Sequence, residues 1–234
     1  MISIIVPTYN EDKCIAGLLQ SIQSQVLHLP VEIIVADNHS TDRTREIAKS
    51  YGATIVDGGL PGEGRNRGAE VATGSLLLFL DADVILYNSY YLWDCLTEFR
   101  TRELDIATCR LQPMSDLKSD QFGHWAYNSL LTFPGQRVTI PGSCIWVQSG
   151  LHKALGGFDE STRLAEDADY GRRAQRLGAK FGVLLAHKIQ ISVRRLEKDG
   201  RLRTALKYIA CGLYMSLFGK VNSNLFKYTF GYDK

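Results

Sequence analysis

Short apolar runs alternate with helical patterns through the first 80 residues, and this alternation constrains the fold more than any other feature. The runs predict buried strands at residues 2–6, 31–36, 53–56 and 75–80. The patterns between them predict helices at residues 15–22, 43–51 and about 66–72. The last strand, SLLLFL, is continuously apolar, as expected when helices cover both faces of a sheet. We therefore expect an α/β fold: a Rossmann-like, doubly wound, mostly parallel sheet with its ligand crevice at the carboxyl ends of the strands.

The remainder of the chain continues the same domain. Further helices are expected at residues 90–102, 150–155 and 167–176, and further strands at 105–111, 138–147 and 181–185. Residues 116–134 are polar and aromatic, which suggests a lid or a stretch facing an acceptor, and Trp125 or Trp146 could stack there on a sugar or belong to the core. Because no linker or internal repeat divides the body, we predict one domain at 1–193 and an extension at 194–234.

The net charge of +2 conceals an uneven distribution. Residues 194–234 contain nine basic and three acidic residues, a net of +6, so the preceding 193 residues carry −4. A total this close to neutral argues against a polybasic nucleic-acid binder, and no nucleic-acid partner is expected. The division instead predicts a tail that meets an anionic surface and a body whose carboxylates are available to a metal.

Cysteine usage and the first residues suggest a cytoplasmic location. The five cysteines are widely spaced and form no CxxC pair, so we interpret them mainly as buried thiols of a reducing compartment. The sequence MISIIVPTYN lacks the basic start and long apolar run of a secretory signal.

Two aspartates directly follow the continuously apolar strand. Asp81 and Asp83, at positions i and i+2, can project to the same side where the chain leaves the sheet. Carboxylates so placed suit a hard divalent cation whose other ligands are phosphate oxygens and water. Taken alone, the pair is more typical of a solvated turn.

Five segments in order change that interpretation: VPTYNE, ADNHSTD, the glycine-rich loop with Arg65 and Asn66, LDAD, and GGFDE followed by AEDADYGRRAQRLG. Together they resemble the family 2 glycosyltransferases, inverting enzymes of the GT-A fold that use nucleotide-diphospho-sugars. The resemblance covers residues 1–186, most of the chain.

The resemblance assigns residues to the donor and to a metal. Those implied for the nucleotide and the donor are Pro7, Thr8, Asn10, Glu11, Asp37, Arg65, Asp81, Ala82, Arg194 and Arg195. Those implied for a Mn²⁺ or Mg²⁺ ion are Asp83, Asp81 and, where some members have a third ligand, His187. Arg194 and Arg195 resemble the mobile basic segment of polyprenol-phosphate mannosyltransferases.

Simpler interpretations of several of these residues stay open. Thr8 and Ser40 could serve only a strand exit and a helix N-cap, and Arg65 could be an exposed charge. His187 could be structural, and the two arginines could be a solvated charge run.

The ED pair at Glu166 and Asp167 matches the family's acceptor side. The dipole of a helix starting there favours ionised carboxylates, so we predict Asp167 as the general base, with Glu166 and Asp169 as neighbours that orient it or the acceptor. If the acceptor is an already ionised lipid phosphate, Asp167 would position it instead. The structural alternative is an ordinary acidic first helical turn, stabilised by pairs between residues three or four positions apart, such as Asp169 and Arg173.

The C-terminal extension predicts peripheral membrane association. Residues 204–218 are apolar nearly all round, but a span needs about 20 residues. Basic and aromatic residues flank this stretch, as in a helix lying in the membrane interface. The alternative is a helix packed on the body or at a dimer contact.

These features lead to a functional prediction of a metal-dependent inverting glycosyltransferase at the cytoplasmic face of the cell membrane. The preferred reaction moves mannose from GDP-mannose to a polyprenol-linked or other membrane-associated acceptor, and UDP-glucose is the alternative donor. Rivals of other classes are a nucleotidyltransferase, which would carry a lysine-bearing loop where this chain has VPTYNE, and a non-catalytic sugar-nucleotide-binding module.

Overall fold

A mixed sheet of eight strands forms the centre of the computed structural model, which describes residues 1–133, 140–162 and 164–218. The strands are β1 (Ile2–Thr8), β2 (Val31–Asp37), β3 (Thr54–Asp57), β4 (Leu76–Leu80), β5 (Val84–Ile85), β6 (Ile106–Pro113), β7 (Cys144–Gln148) and β8 (Phe181–Ile191).

Nine helices accompany the sheet in the described residues. They are α1 (Ile15–Gln23), α2 (Thr44–Ser50), α3 (Pro61–Val71), α4 (Tyr91–Thr101), α5 (Lys118–Leu131), α6 (Ser149–Ala154), α7 (Glu166–Arg176), α8 (Arg194–Asp199) and α9 (Arg201–Phe218). None of the helices in these ranges is long and apolar enough to cross a bilayer.

The strand order is β3-β2-β1-β4-β7-β6-β8-β5. Strands β1 to β4 are mutually parallel where they pair, and β6 pairs parallel with β8. Strand β7 is antiparallel to both β4 and β6, and β5 is antiparallel to β8. Six strands therefore point the same way and end at one edge, which confirms the predicted α/β, mostly parallel sheet.

Apolar side chains of β4 fill the core on both faces of the sheet. All five residues of this strand are buried. Leu78 packs in the cluster with Ile4 and Trp146, whereas Phe79 packs on the opposite face with Ile5. This alternation is why the strand is continuously apolar, and it places Trp146 in the core.

The cysteines are free thiols. Four are buried, namely Cys95, Cys109, Cys144 and Cys211, and Cys14 is partly exposed.

Several element boundaries differ from the sequence-based expectation. Helix α3 begins at Pro61 rather than near residue 66, because proline is well suited to a first helical turn. Residues 118–131 form a helix where a lid-like stretch was expected. The strand expected at 138–147 is found as Cys144–Gln148, while residues 134–139 and the tail beyond residue 218 lie outside the described ranges.

Two glycines let α3 approach the sheet closely. A Cβ at Gly68 would collide with Cγ2 of Ile5, and one at Gly64 would lie 3.2 Å from Cβ of Pro7. At these two positions the glycines of the GGLPGEGRNRG segment serve contact between helix and strand. This close packing positions the side chains of α3 at the carboxyl edge of β1.

We predict that Gly68→Ala lowers the free energy of unfolding by about 1–3 kcal/mol, because the methyl group overpacks the contact with Ile5. The matched control is Gly123→Ala, at an exposed helical position with no atom within 4 Å of the new Cβ. It should raise the free energy of unfolding by about 0.5–1 kcal/mol. Urea unfolding measures both values, and a neutral Gly68→Ala would contradict this account of the packing.

Candidate active site

Polar side chains gather at the edge where the parallel strands end. Thr8 and Asp37 are the last residues of β1 and β2, and Asp81 directly follows β4. Because these three strands are neighbours, the predicted crevice contains these residues.

A buried guanidinium connects this edge to the start of α7. The side chain of Arg65, on α3, is only 2% exposed. Its Nη1 donates to Oε1 of Glu166 at 2.6 Å, and its Nη2 donates to Oδ1 of Asp81 at 2.9 Å and to the carbonyl of Gly142 at 3.2 Å. The alternative of an exposed charge is therefore wrong for Arg65. The residue joins three separate chain segments.

The charge balance around Arg65 keeps it ionised. Burial acts to lower the pKa of Arg65, but the negative charges of Asp81, Glu166 and Asp167 outweigh burial and raise it. Its Nε is buried and has no hydrogen-bond partner among the described residues. One donor therefore stays unsatisfied beside two carboxylates, and such buried donors are rare in folded proteins.

Asp167 lies in the first turn of α7, as predicted, but in a setting that favours its neutral form rather than the ionised form expected from the helix dipole. Burial, and next the charge of Glu166, raise the pKa of Asp167 to about 7, while Arg65 acts in the opposite direction. The backbone N–H of Ala168 donates to Oδ1 of Asp167 at 2.8 Å. A Cβ at Gly142 would lie 3.0 Å from Oδ2 of Asp167, so glycine makes room for this carboxylate.

Arg194 of α8 pairs with two carboxylates from the other end of the chain. Its Nη1 and Nη2 contact Oε2 and Oε1 of Glu11 at 2.5 and 2.7 Å, and its Nε lies 3.1 Å from Oδ2 of Asp83. Burial raises the pKa of Glu11 and that of Asp83, and the charge of Arg194 opposes both shifts. Sequence reasoning proposed this arginine for the donor but missed both partners.

The exits of β1 and β2 hold each other in place. Asp37 is fully buried and accepts hydrogen bonds from Thr8 Oγ1 at 3.0 Å and Ser40 Oγ at 2.5 Å. The N–H of Asn10, a residue with φ of 53°, donates to Ser40 Oγ at 2.8 Å. The contacts that organise Thr8 and Asp37 are thus internal, and ligand binding by them stays a prediction.

The remaining sequence-predicted residues lie in different surroundings. Pro7 pairs in register with Ala36, and Ala82 is buried between the two aspartates. The Nε2 of His187 lies 2.7 Å from Oδ2 of Asp94, and its ring stacks on Tyr91. Ligation of a metal through that nitrogen would require the pair with Asp94 to open. Among the described residues, no group of three His, Cys, Asp or Glu side chains could hold a metal ion.

The C-terminal segment packs on the body beside this edge. Arg201, the first residue of α9, pairs with the buried carboxylate of Asp120 through Nε–Oδ1 and Nη2–Oδ2 distances of 2.7 and 2.9 Å. Further along α9, Cys211 packs in a cluster with Leu164 and Ala168 at the start of α7. This segment therefore extends from the carboxylates near Arg194 to the helix that carries Asp167.

Comparison with known proteins identifies the family. The model of Glycosyl transferase family 2 matches residues 3–143, which is more than half of the chain. The chain therefore belongs to this family, and the resemblance found in the sequence is confirmed. Among curated proteins, the 4,4'-diaponeurosporenoate glycosyltransferase of Staphylococcus aureus is 31% identical over 145 residues, covering 58% of this chain and 38% of that protein. The chain thus spans about two fifths of the length of this relative.

Solved structures share the fold. TarS 1-349 of S. aureus in complex with UDP-GlcNAc has a TM-score of 0.66 and 26% identity, covering 82% of this chain and 58% of that one. The mannosyltransferase PcManGT from Pyrobaculum calidifontis, in complex with GDP-Man and Mn²⁺, has a TM-score of 0.71, covering 92% of this chain and 64% of that one. At 20% identity, PcManGT supports the GT-A fold only.

The raised pKa of Asp167 predicts a pH-dependent difference in stability. The folded protein favours the neutral form of Asp167, and this preference adds to the free energy of unfolding. The contribution is fully present below the ordinary pKa of 3.8 and is lost as pH rises through about 7. Asp167→Asn removes the titration. Its free energy of unfolding should therefore increase relative to the wild type between about pH 4 and about pH 8.

Urea unfolding across this pH range measures the difference. The control is Asp57→Asn, whose side chain is 70% exposed, and it should follow the wild-type curve. If the free energies of unfolding of Asp167→Asn and the wild type changed in parallel with pH, this result would contradict the raised pKa of Asp167.

Proposed function

We propose that this chain is the catalytic part of a metal-dependent, inverting glycosyltransferase that moves a hexose from a nucleotide-diphospho-sugar to a membrane-associated acceptor. The observation that carries the proposal is the buried contact of Arg65 with Asp81 and Glu166. It joins the carboxylate implied for the donor to the pair implied for the acceptor. Family membership supports the reaction class.

The donor would bind where β1, β2 and β4 end. Asp37 would pair with the nucleobase, and Pro7, Thr8, Asn10 and Glu11 would line the base and ribose. The internal hydrogen bonds of Asp37 and Ser40 support this proposal because they hold the two loops in a fixed arrangement.

The carboxylates of Asp81 and Asp83 fit a Mn²⁺ or Mg²⁺ ion. Carboxylate oxygens are ligands that both cations accept, and the donor's phosphates and water would complete the shell. The bound cation would neutralise negative charge on the departing nucleoside diphosphate. Arg194 lies 3.1 Å from Asp83 and therefore beside the proposed cation. Guanidinium groups bind phosphate oxygens well, so Arg194, with Arg195, is suited to contact the diphosphate. His187 is the least supported of the three metal ligands.

Asp167 would act on the acceptor. A carboxylate with a pKa of about 7 can both accept and retain a proton near neutral pH, which is the property required of a general base. As the acceptor oxygen forms its bond to the anomeric carbon, the bond from that carbon to the diphosphate breaks on the opposite face. The acceptor proton passes to Asp167. Glu166, held by Arg65, would orient it, and with an ionised phosphate acceptor Asp167 would only position the substrate.

Two donors deserve testing first. We favour GDP-mannose, the donor implied by the resemblance of the sequence to polyprenol-phosphate mannosyltransferases. A UDP-sugar is the second candidate, because TarS, the more similar of the two in sequence, binds UDP-GlcNAc. For the acceptor we propose a polyprenol-linked molecule at the cytoplasmic face of the membrane. The +6 charge of residues 194–234 supports peripheral attachment there.

We predict that Asp83→Ala and Asp167→Asn each lower the turnover of nucleotide sugar by about 10²- to 10⁴-fold at saturating Mn²⁺. Release of GDP or UDP from GDP-mannose or UDP-glucose measures this. Glu70→Gln, an exposed change on α3, is the control and should keep full turnover.

Two results would overturn parts of the proposal. Turnover that survives both EDTA and Asp83→Ala would reject metal dependence. Near wild-type turnover of Asp167→Asn would reject the base assignment while leaving the donor site in place.

A further inference from the structure

Helix α5 presents large apolar side chains to solvent. Phe122 and Trp125 are 67% and 63% exposed, and their rings stack with centroids 5.6 Å apart. We use the name α5 apolar face for the exposed residues on α5 and directly beside its ends: Leu117, Phe122, Trp125, Leu130 and Phe133. Five exposed large apolar residues within 17 positions exceed the scattered exposure normal for a protein surface, so this face is suited to an interaction.

A groove of about 720 Å³ separates α5 from β6 and β8, and we call it the α5 groove. Phe122 and Trp125 line it together with two cationic side chains, Arg110 and Lys188. No aspartate or glutamate is among the described residues that line the groove. The Nε of Arg110 is buried and has no hydrogen-bond partner within the described ranges. The Nη2 of Arg110 donates to the carbonyl of Leu185. The groove thus places two cationic side chains, with no acidic residue in its described lining, beside exposed aromatic rings.

The α5 apolar face is continuous with the basic C-terminal segment. The pair between Asp120 and Arg201 joins the first turn of α5 to the first turn of α9. That turn of α9 exposes Leu202, and Leu206 follows one turn later. Residues 194–207 contain six basic and two acidic residues. The combined surface therefore has apolar side chains with positive charge around them, next to the helix whose Arg194 contacts Asp83.

We propose that the α5 apolar face and the α5 groove bind an anionic phospholipid bilayer. Phe122 and Trp125 enter the boundary between headgroups and acyl chains, where aromatic side chains are favoured. Arg110 and Lys188 bind the headgroup phosphates. A membrane bound in this way would lie close to the carboxyl edge of the sheet. This inference deepens the proposed function by adding a membrane contact on the body. The role of that contact, bringing the site to a membrane-associated acceptor, rests on the proposed function.

Vesicle flotation of the full chain, without donor or metal, tests the proposal. The vesicles contain phosphatidylcholine alone or phosphatidylcholine mixed with phosphatidylglycerol. Phe122→Ser/Trp125→Ser should lower partitioning onto the mixed vesicles by about tenfold or more, because two large apolar groups are lost. The matched control, Tyr87→Ser/Leu177→Ser, removes two apolar side chains of similar exposure elsewhere and should bind as the wild type does.

The charged half of the proposal has its own pair of variants. Lys188→Glu should weaken binding to the phosphatidylglycerol vesicles, whereas Lys49→Glu, with the same change in net charge on α2, should weaken it much less. Equal losses for the two lysine variants would contradict a headgroup site in the α5 groove.

Fluorescence locates the contact. In a Trp93→Phe background, Trp125 and the core residue Trp146 are the tryptophans that remain. Brominated lipids should quench the emission of Trp125, and Trp125→Phe should remove that quenching while binding persists. Two results would overturn the proposal: unchanged partitioning of Phe122→Ser/Trp125→Ser, or no quenching of Trp125 in the Trp93→Phe chain. A dimer in sedimentation that this double variant abolishes would also overturn it, by assigning the face to a second copy.

Failure of the membrane-binding proposal can be distinguished from failure of the proposed function. Vesicle binding requires neither sugar nucleotide nor metal. A chain that binds vesicles but never turns over a sugar nucleotide would refute only the function.

Discussion

The buried guanidinium of Arg65 is the interaction on which the candidate site depends. It is held at 2.9 Å from Asp81 and 2.6 Å from Glu166, so it fixes the distance between the end of β4 and the start of α7. Removing one partner from a buried ion pair leaves an uncompensated charge, which typically costs about 3–5 kcal/mol. Close packing of α3 on β1, at Gly64 and Gly68, brings Arg65 to this place. Stability and the arrangement of the site therefore share one origin.

A second arginine closes the site from the other end of the chain. Arg194 pairs with Glu11 and Asp83 and offsets only part of the effect of burial, which raises the pKa of both carboxylates. A cation on Asp83 would take over part of this compensation and leave Arg194 charge to share with a diphosphate. The segment then continues through Arg201 to the helix carrying Asp167, so the surfaces that we propose for the donor, the acceptor and the membrane adjoin one another.

The sequence was sufficient for the fold because the strands near the centre are buried on both faces and are separated by clear helical patterns. It was insufficient where tertiary contacts decide the structure. Helix α3 contains three glycines in its 11 residues and is held by packing, and α5 has no simple apolar stripe because its aromatic residues face solvent. The aspartates after β4 and the ED pair were evident as motifs. Their connection through Arg65 was not, because Glu166 lies 101 positions away, and Arg194 is 183 positions from Glu11.

We propose above that the carboxyl edge of the sheet is a metal-dependent site for a nucleotide-diphospho-sugar. A thermal-shift panel of nucleoside diphosphates and their sugars, with Mn²⁺ or with EDTA, tests it most directly, since a ligand that binds only the folded state raises Tm by mass action. We expect GDP- or UDP-linked ligands to raise Tm in the presence of Mn²⁺, and we expect EDTA or Asp83→Ala to remove the shift. No shift with any nucleotide, or an equal shift in EDTA, would contradict it.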